Sequence, residues 1–158
     1  MSRPATMDGP ARAVRGLYES DYFAWVQEQV DHLRARRLDA IDFENIAEEL
    51  GDLGKSEIDK IRSALAVLLM HMLKWDYQPE RMTRSWDNSI AEQRRRYHQI
   101  LGENPGLKSR LDEILRQAYA DSRSRASPDT DLPRSHFPDV CPYTWERILE
   151  RPFEYEAR

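Results

Sequence analysis

The residues best suited to chemistry are His71, Lys74 and Gln78. Their spacing of three and then four places them on successive turns of one helical stripe. The string that holds them, Ile61 to Pro79, is apolar on nearly every other side. Ile61, Leu65, Leu68, Leu69, Met72 and Trp75 form one broad face, which Ala66, Met70, Leu73 and Tyr77 extend most of the way round. An imidazole in that setting, oriented by Glu48 or Glu49 from a neighbouring helix, has the parts for proton transfer, and Lys74 or Arg81 could hold an anionic substrate. The bland alternative is stronger: His71 hydrogen-bonds across the core while Lys74 carries its charge out to water. No catalytic residue is assigned on these grounds.

The remaining polar groups give weaker signals. Glu44 and Glu48 lie one helical turn apart and could hold a hard cation. No Glu-x-x-His pattern accompanies them, so Glu48, Glu49 and Asp52 read as a solvated or salt-bridged face, and no metal or other cofactor is expected. Arg81, Arg84, Arg94, Arg95 and Arg96 form the clearest basic concentration, with Trp86 and Tyr97 nearby. Gln78, Arg81, Arg84 and Arg94 are thus the ligand-binding candidates, for RNA or another phosphate. Yet Trp86 and Tyr97 share a face with Ile90 and Ile100, where packing needs them. Solvation and salt bridges to the acidic Asp39 to Asp59 region account better for the arginines. Cys141 has no activating base in view and reads as a structural cysteine. There is no Gly-rich phosphate loop, paired-cysteine metal motif, serine elbow or His-Glu-x-x-His string.

The elements that must position these groups are helical. Residues 1–16 lack periodicity and read as a flexible tail. Ser20 or Asp21 can cap a first helix whose one side carries Tyr22, Phe23, Trp25, Val26, Val30 and Leu33. Asp42 caps a second, in which Phe43, Ile46, Ala47, Leu50 and Leu53 form a core-facing strip. Gly51 and Gly54 predict a bend or break before the central helix, from about Ser56 to Gln78, which Pro79 ends. Ser85 can cap a fourth helix bearing Trp86, Ile90, Gln93, Tyr97, Ile100 and Leu101. Asn104 and Pro105 start a fifth, which carries Leu107, Leu111, Ile114, Leu115 and Ala118 and ends near Asp121. Residues 121–140 read as a long surface connection, pinned locally by Phe137. A short last helix follows from Cys141, with Phe153 and Tyr155 able to dock the end of the chain.

Several of these strings also occur together elsewhere. YESDYFAWVQEQVDHLR, IDFENIAEELGDLGKSE, LAVLLMHMLKWDYQPE, RSWDNSIAEQRRR, LGENPGLKSRL and FPDVCPYTWERIL, in this order and spacing, resemble the bacterial family of domains of unknown function numbered 29, widespread in cyanobacteria and proteobacteria. The resemblance runs from about Tyr18 to Phe153 and implies a compact all-helical domain with no activity to carry over. Tyr22, Trp25, Asn45, Glu48, Glu49, Leu53, Gly54, His71, Lys74, Trp75, Gln78, Pro79, Trp86, Gln93 and Pro142 match its recurrent pattern. Asp76 stands where similar proteins often carry a glutamine.

Size and charge agree with one such domain. A chain of 158 residues can bury one sizeable core. The expectation is an all-α bundle of about six helices around a central hydrophobic helix, with residues 17–153 as the domain and 154–158 as a second tail. A net charge of -4 argues mildly against general nucleic-acid binding. The lone cysteine fits a reducing compartment, the opening residues lack a secretory apolar core, and His71 and Lys74 interrupt the LAVLLM run too soon for a membrane span. These features point to the cytoplasm. Packing is specified strongly and chemistry weakly, so a protein-interaction or scaffold module is the leading expectation. Its partner would be another protein or, if Trp25, Trp75 or Tyr77 remains exposed, a second copy.

Overall fold

A computed structural model describes residues 16–155 and is helical throughout its regular elements. The expected tails at 1–16 and 154–158 fall mostly outside the described residues. After a helical turn at residues 16–20, the α-helices are α1 (Tyr22–Arg34), α2 (Phe43–Tyr77), α3 (Arg84–Glu103), α4 (Leu111–Thr130) and α5 (Trp145–Glu150). Short 3₁₀ segments at Leu38–Ala40, Pro79–Arg81, Pro105–Arg110 and Arg134–His136 join them. The all-α expectation is met. Backbone contacts divide the chain into two compact units, one reaching to Gly54 and one starting at Lys55.

The first unit contains α1 and the start of α2, running antiparallel as a hairpin. Asp21 caps α1 by accepting from the Ala24 amide, and α1 ends with Arg36 in the left-handed region at φ 53. There the Arg36 and Arg37 amides reach back to the Leu33 and His32 carbonyls, the double closure usually built on glycine. Asp42 caps α2 as expected, accepting from the Asn45 amide at 3.3 Å. It also ties the hairpin together: the Trp25 indole donates to its carboxylate, and its own amide donates to Gln29 Oε1 at 2.8 Å.

No break follows. α2 runs unbroken for 35 residues, through Gly51 and Gly54. Neither glycine has a positive φ, so each costs helix propensity without ending the helix.

In the second unit the later part of α2 is the hydrophobic centre. Ile61, Leu65, Leu68, Leu69, Met72 and Leu73 are fully buried, and they cluster with Ile90 and Tyr97 of α3, Ile114 and Ala118 of α4, and Ile148 of α5. The expected fifth helix starts later and ends later than its sequence signals suggest. Pro105–Arg110 is 3₁₀, and α4 proper extends to Thr130, nine residues beyond the expected end at Asp121 and with Pro128 inside its last turn. Residues 121–130 are therefore helix and not surface connection. Their buried side is built of small and polar residues, Ser122, Arg123, Ala126 and Thr130, which a hydrophobic period does not reveal. Ser122 Oγ donates to Tyr119 O, Thr130 Oγ1 to Ala126 O, and Arg123 Nη2 to Phe137 O at 3.0 Å, while Arg123 Nε is buried without a partner among the described residues. Phe137 is buried and anchors the shortened connection, as expected.

Candidate functional site

The stripe of His71, Lys74 and Gln78 exists, and each of the three is more than nine-tenths buried. It faces the end of α4. Lys74 Nζ pairs with Asp129 Oδ2 at 2.9 Å and lies 4.7 Å from the centre of the Trp86 ring. Gln78 Nε2 donates to the Thr130 carbonyl at 2.9 Å. The small side chains Ala118, Ser122, Ala126 and Thr130, spaced by four, line the buried side of α4 that ends at this meeting point.

His71 stands one turn further into the core, its ring centre 6.5 Å from that of Trp86. Burial, reinforced by the nearby Lys74 ammonium and only partly opposed by Asp129, lowers its pKa from 6.5 to about 4. The imidazole is therefore neutral at physiological pH. Its Nδ1 is buried without a hydrogen-bond partner among the described residues, as are Oε1 of Gln78 and of Gln93. The expected hydrogen bond from His71 across the core is thus missing at Nδ1, and Lys74 reaches a carboxylate instead of open water. Glu48 and Glu49 are not on a separate helix: they belong to α2, which also carries His71, and they fall in the first unit whereas His71 falls in the second. Glu49 is engaged in the first unit, where Tyr18 and Tyr22 each donate to one of its oxygens at 2.7 Å. These bonds raise both phenol pKa values, that of Tyr18 to about 12.

The arginines are dispersed. Arg94 is half-buried and turns inward, donating to Ile148 O at 2.8 Å and to Arg147 O, so it caps the end of α5. Arg81 lies 3.6 Å from Asp131, Arg95 pairs with Glu92, and Arg84 is exposed. Arg96 borders a shallow groove of about 270 Å³ with Lys60, Glu57, Gln99, Ile100 and Glu103, where two carboxylates offset its charge. The partners of Arg81, Arg94 and Arg95 thus lie outside the Asp39 to Asp59 region. Cys141 is half-buried, and burial raises its thiol pKa.

Asp76 has a structural role that its position in the sequence does not disclose. It accepts from Tyr143 at 2.9 Å and from both Arg151 nitrogens at 2.9 and 2.7 Å. Phe153 packs beneath Arg151 and Arg94 and against Trp75, so the segment after α5 is docked at Phe153.

The condition set for a second copy, exposure of Trp25, Trp75 or Tyr77, is not met. Trp25 is buried, and Trp75 and Tyr77, in the second unit, are half-buried against Phe153 and Phe137. In the first unit the exposed large residues are instead Phe23 at 73%, Phe43 at 61%, Leu50 at 63% and Leu53 at 65%, joined by Tyr22, Leu33 and Leu38. The strip Phe43, Ala47, Leu50, Leu53 is thus solvent-facing and not core-facing, because the hairpin closes where Trp25 and Gln29 meet Asp42 and where Tyr18 and Tyr22 meet Glu49. At 100° per residue on antiparallel helices, Phe23, Val26, Val30 and Leu33 fall on the same side of the hairpin as Phe43, Leu50 and Leu53. One side of the hairpin is consequently apolar and open.

Among the described residues no helix is long and apolar enough to cross a membrane, and no group of three or more His, Cys, Asp or Glu side chains is placed to hold a metal ion. These features define an all-helical protein with, among the described residues, an apolar second-unit core, a buried polar seam and an uncovered apolar side. Residues 17–154 match the family described as Domain of unknown function DUF29, and the chain belongs to that family. Comparison with curated proteins and with solved structures finds no match.

Proposed function

We propose that this protein is an interaction module whose working surface is the open apolar side of the α1–α2 hairpin. The observation that carries the reading is the exposure of Phe23, Phe43, Leu50 and Leu53 together. Their exposed fractions correspond, with Leu33, to roughly 600 Å² on side chains of about 200 Å² each. That is at the upper end of the roughly 300–600 Å² expected for the largest apolar patch of a monomer. A polar-cleft enzyme has less support, since His71 is covered and Glu49 is already held by two tyrosines. An RNA or phosphate binder is likewise disfavoured by the inward turn of Arg94 and the carboxylates beside Arg96.

The test is affinity capture from an extract of the native cell by the full chain and by the double variant Phe23→Ser/Leu50→Ser. The wild type retains a partner, of its own kind or another, that the variant loses while keeping its helical circular dichroism. Equal recovery by both proteins rejects the surface.

A further inference from the structure

Gly51 and Gly54 are poor helix formers in the interior of a long helix, yet a Cβ added at either would meet nothing within 4 Å. No close approach within the chain calls for them. With Ala47 they form a strip of small residues on the open side of the hairpin, interleaved with Phe43, Leu50 and Leu53, all exposed. The order of large and small is self-complementary. Reversing the string about the point between Glu48 and Glu49 sets Phe43 against Gly54, Ile46 against Gly51 and Leu50 against Ala47.

We infer that this side of the hairpin receives a second copy of the same chain, the two α2 helices crossing antiparallel about a two-fold axis that passes between Ala47 and Leu50. Phe43, Ile46 and Leu50 then each sit over a small residue of the other copy, which lets the helices approach closely and explains the glycines. The inference rests on the interaction reading and adds the identity of the partner. An isologous contact uses one patch twice and so requires a self-complementary surface, whereas an unrelated partner imposes no such symmetry on the sequence. The scale is adequate: roughly 600 Å² from Phe23, Leu33, Phe43, Leu50 and Leu53, extended by the half-exposed Val26, Val30 and Ile46, approaches the about 800 Å² per partner of a stable interface.

Sedimentation equilibrium of the full chain across the micromolar range should give twice the chain mass. Gly51→Leu, whose Cβ meets nothing within 4 Å in its own chain, should fill the recess and return a single chain mass with helical circular dichroism intact. For the register, Phe43→Cys and Gly54→Cys variants, each also carrying Cys141→Ser, are mixed and oxidised. Disulfide-linked pairs of unlike chains should then dominate over pairs of like chains. A wild-type protein monomeric throughout overturns the second-copy inference while leaving the interaction reading to the capture experiment. A Gly51→Leu protein that stays dimeric, or a majority of like pairs, overturns the antiparallel crossing. A monomeric protein whose Phe23→Ser/Leu50→Ser variant also captures as much as wild type removes both readings.

Discussion

The two halves of α2 contrast sharply although they belong to one helix. From Ile61 to Leu73 nearly every side chain is enclosed by α3, α4 and α5, whereas from Phe43 to Leu53 residues just as apolar face solvent. Apolar periodicity is therefore present in both halves and means different things. In the second unit it records a core; in the first it marks a surface that the described chain leaves uncovered. The polar groups show the converse. His71, Lys74 and Gln78 are polar but buried, and Asp129 and the Thr130 carbonyl make that burial tolerable for two of the three.

The largest expected effect separates the halves directly. Leu68→Ala should lower stability by about 2 to 5 kcal/mol, since the side chain is fully buried and its neighbours are already packed. Leu50→Ala, measured in dilute monomeric protein, should change it by less than about 0.5 kcal/mol. Denaturant unfolding of both variants checks the pair, and equal losses would mean that the first-unit strip is covered after all.

Next in size is an acid window due to His71. Its pKa is 6.5 in the unfolded chain and about 4 in the folded one. Between those values the unfolded chain binds the additional proton, so this contribution is fully present above about pH 6.5 and is lost as pH falls toward 4. The loss should reach about 3 kcal/mol. His71→Leu should flatten the difference between stability at pH 7 and at pH 4.5 relative to wild type. An unchanged difference would show that the imidazole is not desolvated.

Gln78→Ala should cost about 1 kcal/mol, because the Thr130 carbonyl loses its donor while an unpartnered amide oxygen is removed with it. Lys74→Met sharpens the same seam by nuclear magnetic resonance titration. The His71 pKa should move up once the neighbouring cation is gone and Asp129 remains, yet stay below 6.5 because burial is the larger cause. In the first unit, Gly51→Ala should raise the stability of the monomer by up to about 1 kcal/mol, the intrinsic helix preference with no steric penalty. A loss in its place would reveal an intrachain neighbour at that point.

Much of this was legible in the sequence. The helix starts at Asp21 and Asp42 and the stop at Pro79 followed from local chemistry, whereas Ser85 lies inside α3 behind the N-cap Thr83, and α5 starts at Trp145 behind Thr144 and not at Cys141. The central core followed from a period of 3.6 over Ile61 to Tyr77. The extension of α4 was not legible as a hydrophobic period, although Ala118, Ser122, Ala126 and Thr130 at intervals of four were a readable small-residue signal. Nor could the glycines be interpreted locally. Gly51 and Gly54 lower helix propensity, but continuous backbone hydrogen bonding in a 35-residue helix outweighs two weak residues.

By itself the sequence determined the helical class, the identity of the central helix and the coexistence of His71, Lys74 and Gln78 on one stripe, because those depend on spacing along the chain. Only the tertiary structure decided that the stripe meets Asp129 and Thr130 and is sealed, that Glu49 is held by Tyr18 and Tyr22, and that the Phe43 to Leu53 strip is left open. Those outcomes depend on which elements come to lie against which side of α2, and partners distant in sequence leave no periodic trace in the stretch they cover or leave bare.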